Sequence, residues 1–84
     1  MVIDEARRMV QRVLEVVTAE AGGGSVEAGR CHLTLGMVQQ FLGGAREAIE
    51  CYEAAVGVLG GEAAGPAGGM LLDEANERLA ALQV

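Results

Sequence analysis

Cys31, His32 and Cys51 are the residues of this chain whose side chains most readily do covalent or metal chemistry. A thiolate beside an imidazole is the pairing of a cysteine nucleophile, and the same residue types ligate structural zinc. Neither chemistry is well served here. A closed zinc site takes four ligands, and no CxxC pair is present. A disulfide between Cys31 and Cys51 would need matched Cβ directions on two neighbouring helices. Small buried thiols are the expected role, with His32 packed or partly exposed beside them. Asp73, Glu74 and Glu77 bring carboxylates together in sequence, and a solvated acidic helix face accounts for them. No GxGxxG, P-loop or GxSxG is present, and "GGGS" at Gly22–Ser25 is too little for a phosphate site. The residues thus point to no enzyme, no metal and no cofactor.

The elements that would position any site must come from a short chain. At 84 residues, 51% of them apolar, it makes at most one domain with a modest core. The net charge is −6, and all six basic residues are arginines. An acidic chain without a basic cluster lacks the footprint of a nucleic-acid binder and the patch that draws a protein to anionic lipid. Charge or glycine cuts every apolar run well before the ~18 residues of a membrane span. The N-terminus carries charges too early for a secretory apolar region. The expected location is the cytoplasm, with both cysteines reduced.

Apolar spacing predicts four helices and no strand, an all-α chain of antiparallel hairpins forming a single domain over residues 1–84. Ala6, Met9, Val10, Val13, Val16 and Val17 recur at helical intervals over Ile3 to Ala21, with Asp4 as a cap and Asp4/Arg8 paired outside. Three glycines end that helix. Ser25 caps a second, Val26 to Leu42, whose apolar rows (Leu35, Val38, Leu42 and Leu33, Met37, Phe41) require neighbours on more than one side. The short Gly43-Gly44 turn returns the chain antiparallel into Ala45–Leu59, which carries Ala48, Ile49, Tyr52, Ala55, Val56 and Leu59 on its buried side. Residues 60–69, "GGEAAGPAGG", read as a linker, ordered or not. A last helix, 70–82, turns Leu71, Leu72, Ala75, Leu79 and Leu82 inward, with Glu74/Arg78 outside.

The central hairpin, Gly29 to Glu62, resembles one tetratricopeptide repeat, a 34-residue helix-turn-helix unit. Leu35-Gly36 stands at the family's Leu-Gly pair, Gly43 in its turn, and Ala48, Tyr52 and Ala55 at the Ala, aromatic and Ala of its second helix. The match departs at His32 (for Trp), Gln39 (for Tyr) and Gly60 (for Pro). Physically, Gly36 and Ala48 let two backbones approach while Leu35 and Tyr52 fill the space around them. The first helix matches the second helix of a preceding unit, with Ala6 and Val10 aligned on Ala48 and Tyr52. The last helix looks like a cap. One hairpin flanked by two helices is a minimal array, because such repeats stack to bury both faces.

The resemblance implies a protein-protein interaction module, an adaptor or scaffold, holding a peptide or amphipathic helix of another protein in a groove. By position the groove residues are Arg30, Leu33, Thr34, Met37, Gln40 and Phe41. The Leu-Met-Phe row suits an apolar partner, or else it is core covered by the chain's own helices. Leu33 and Met37 replace the Lys and Asn with which some relatives clamp a C-terminal carboxylate, so that specificity is not implied. The alternative is a self-associating module whose apolar face forms a homodimer interface.

Overall fold

The computed structural model describes residues 2–61 and 65–83, with side chains from Glu5 onward except that of Ala21. Four helices follow in order: α1 (Val2–Ala21), α2 (Val26–Phe41), α3 (Ala45–Leu59) and α4 (Gly68–Gln83), with no strand among the described residues. Because α1 begins at Val2, Asp4 lies within its first turn rather than at the cap. The Asp4/Arg8 pairing falls outside the described side chains, as do Glu62–Ala64 of the expected linker.

The breaks between helices are built from local chemistry. At the α1–α2 junction Gly22 adopts φ 92°, a conformation that costs a side chain dearly and glycine nothing. Ser25 then closes the loop in both directions. Its hydroxyl donates to the Gly22 carbonyl at 2.9 Å and accepts from the Ala28 N–H at 3.2 Å. An N-cap of this type stabilises a helix by about 0.5–2 kcal/mol. Gly43, at φ 84°, lies in the three-residue turn, Leu42 to Gly44, that lays α3 back against α2. After Gly65 the backbone re-enters a helix two residues earlier than the expected Met70, since Gly68 and Gly69 form the first turn of α4.

Packing explains why α2 is apolar on several sides: it contacts α1, α3 and α4. The core cluster is Leu33 from α2, Ala48, Tyr52, Ala55 and Leu59 from α3, and Ala75 from α4. Among the described residues Tyr52 is the one large side chain fully enclosed, and its ring lies where a Cβ on Gly36 would be, 2.5 Å from Cε1. Gly29 meets Leu59 in the same way two helical turns earlier on the same face. These two glycines, seven residues apart, are the reason the α2 and α3 axes come so close. On the outer side, Arg78 Nε donates to Glu74 Oε2 at 3.3 Å, an exposed pair contributing a few tenths of a kcal/mol.

Candidate functional site

α1 packs on α2 through only part of its apolar stripe. Val10, Leu14 and Val17 are half-buried, whereas Met9, Val13 and Val16 are 67%, 47% and 50% exposed. Large side chains left open in a row on one helix are the signature of an unfilled contact. Where this row meets α2 there is an open cleft of about 230 Å³, lined by Met9, Val10 and Val13 from α1 and by Arg30, Cys31 and Thr34 from α2. The apolar wall continues along α1 to Val16 and Val17. Toward the N-terminal end Arg8 and Arg12 flank Met9, with Glu5 the single acid in that group. In a chain of net charge −6, the rim of this cleft is cationic.

The six expected groove residues divide by helical angle. Arg30, Thr34, Met37 and Phe41, at i, i+4, i+7 and i+11, share one stripe of α2. Arg30 is exposed, Thr34 and Met37 are half-buried, and Phe41 is 76% exposed. Leu33 and Gln40 fall to the α3 side. Leu33 is enclosed in the core at 2% exposure, which leaves it no surface to offer. Gln40 Oε1 accepts a 2.8 Å hydrogen bond from the Tyr52 hydroxyl, so its amide oxygen is engaged within the chain although the residue itself is exposed. Met37 packs its inner edge on the core cluster.

Met9 and Val13 were not among the expected site residues. Their signal was present: apolar residues cover so wide an arc of α1 that one neighbour cannot bury them all.

Cys31 and Cys51 are free thiols, both half-buried. Burial pushes the Cys31 thiol above its ordinary pKa, with Arg30 pulling weakly the other way. Burial raises Cys51 too, helped by Glu50 and Glu47. An activated nucleophile requires the opposite shift. No group of three His, Cys, Asp or Glu side chains converges among the described residues. No helix of the described residues is long and apolar enough to cross a membrane.

Burial moves His32 below the usual imidazole pKa. The unfolded chain therefore binds more protons near and below pH ~6.5, and folding stability declines as pH falls from there toward the lowered folded value. Comparing urea midpoints of wild type and His32→Gln checks this. The gap between them should hold steady above pH ~7 and move against the wild type below it.

A family model described as tetratricopeptide repeat matches residues 3–59, a span that takes in α1, α2 and α3. No curated protein and no solved structure matches the chain.

Proposed function

Since the chain belongs to the tetratricopeptide repeat family, whose members are protein-protein interaction modules, we propose that it binds a peptide or helix of another protein along the α1–α2 face. The observation that carries this reading is the open apolar row of α1, Met9, Val13 and Val16, continuous with the cleft at Arg30 and Thr34. The partner's apolar side chains would enter that cleft and follow the stripe of Thr34 and Met37 toward Phe41. Arg30 would set polar register at its edge. No step of this needs a cofactor, and no covalent chemistry is assigned to Cys31, His32 or Cys51. The role is that of an adaptor or scaffold in the cytoplasm.

Introducing two carboxylates tests it, because burying an unpaired charge costs several kcal/mol. A Met9→Glu, Val13→Glu variant is expected to lose the partners captured by wild type from the source lysate. Its far-ultraviolet circular dichroism should be unchanged, since both positions are exposed in the free protein. Equal capture by the two proteins would remove this face from the function. The same exposed row supports a homodimer as the second reading, and a mass that grows with concentration in wild type alone would favour it.

A further inference from the structure

The molecule contains its own template for what fills the cleft. Ala48 and Tyr52 lie 42 residues after Ala6 and Val10, and α4 begins at Gly68, 42 residues after α2 begins at Val26. The pair α1–α2 is thus the counterpart of α3–α4. At α3–α4 a helix is already seated, and that helix is α2: Gly36 lies on Tyr52 and Gly29 on Leu59, while Leu33 joins Ala75 in the core. At α1–α2 the counterpart seat is the open cleft of Met9, Val10 and Val13. The counterparts of Tyr52 and Leu59 there are Val10 and Val17. Both are smaller, so the occupant needs no glycine at those positions and has room for alanine or leucine.

The charges select among helices. Arg8 and Arg12 stand beside Met9, and Arg30 stands on the opposite wall. We infer that the occupant is an acidic amphipathic helix of a partner protein, docked antiparallel to α1 as α2 is to α3, with its carboxylates against Arg8, Arg12 and Arg30. The inference rests on the reading of the α1–α2 face as the binding site and adds the shape and charge of the ligand. α4 of a second copy is the poorer occupant, because its apolar side is already turned to the core through Ala75, Leu71 and Leu79.

Cys31 lies in the cleft wall and reports occupancy directly. In a Cys51→Ala background it is the only thiol, and its labelling rate by a small thiol reagent measures how open the cleft is. The probe is a synthetic helical peptide of the length of α2, 16 residues, with Leu and Ala on one face and Glu on its flanks. The control carries Lys at the Glu positions. The Glu peptide should slow Cys31 labelling about tenfold at roughly ten times its Kd, the Lys peptide should not, and added salt should weaken the effect. Arg8→Glu with Arg12→Glu should invert the preference.

Equal protection by both peptides would overturn the acidic partner while leaving the face as the binding site. If neither peptide protects Cys31, the helix seat is wrong, and capture by the Met9→Glu, Val13→Glu variant then decides the site separately. Protection that rises with protein concentration alone, together with a growing mass, would make a second copy the occupant and overturn the proposal.

Discussion

Gly36→Leu is expected to abolish the folded state. The position has no room: a Cβ there would already sit 2.5 Å from Cε1 and 2.7 Å from Cδ1 of Tyr52. The tyrosine cannot yield, because it is fully enclosed and its hydroxyl is tied to Gln40 at 2.8 Å. Relief must come from separating α2 from α3, the pair with the most extensive contact in the fold. Gly36→Ala is the graded version. Its helix propensity improves by about 1 kcal/mol, while overpacking costs about 1–3 kcal/mol, so a net loss of up to about 2 kcal/mol should register as a lower urea midpoint. Leucine adds three more carbons to the same closed space. The Cα trace is only 15 Å through its thinnest dimension, so little other core remains to carry that loss. Gly57, where an added Cβ meets nothing within 4 Å, is the control. Gly57→Ala should hold or raise stability by up to about 1 kcal/mol, and a loss there as large as at Gly36 would show that close approach is not the reason for Gly36.

The hairpin was legible in the sequence because its constraint is local. A Leu-Gly pair, a glycine turn and a tyrosine flanked by alanines can be satisfied by two adjacent helices, whatever else surrounds them. The open face of α1 was not legible, for a matching reason. Met9, Val13 and Val16 have the same spacing as residues that are buried, and helical periodicity states that a face is apolar without stating who covers it. The groove residues of α2 show the same limit at finer grain. Leu33 and Thr34 are neighbours in sequence, yet a helical step of about 100° sends one into the core and leaves the other at the cleft. Gln40 reads as a polar surface residue until Tyr52 is placed against it. At the start of α4, two glycines argued for a linker, and helix packing at buried Gly68 overrode their weak propensity.

Tyr52→Ala should be the most costly change after Gly36→Leu while still leaving a folded state to measure, and the pair of substitutions at Tyr52 separates what the ring does from what the hydroxyl does. The ring joins Leu33 of α2, Ala55 and Leu59 of its own helix and Ala75 of α4 in one cluster, so it is the side chain on which three helices meet. Truncating a buried aromatic to alanine costs about 3–5 kcal/mol, against a total of about 5–10 kcal/mol for a small domain. Glycine on the facing helix makes the cavity worse, since Gly36 has no side chain with which to fill it. Tyr52→Phe keeps the ring and loses one hydrogen bond. Gln40 is exposed and can turn its amide to water, so this change should cost about 0.5–1 kcal/mol. The expected urea midpoints therefore fall slightly for Tyr52→Phe and steeply for Tyr52→Ala. Combining Gly36→Ala with Tyr52→Ala gives the sharper result. With the ring gone the new methyl enters the space it vacated, and the double variant should be more stable than Tyr52→Ala alone by at least the ~1 kcal/mol of helix propensity. A double variant no better than the single one would mean that Gly36 and Tyr52 are not each other's partners, and the close crossing of α2 and α3 would need another cause.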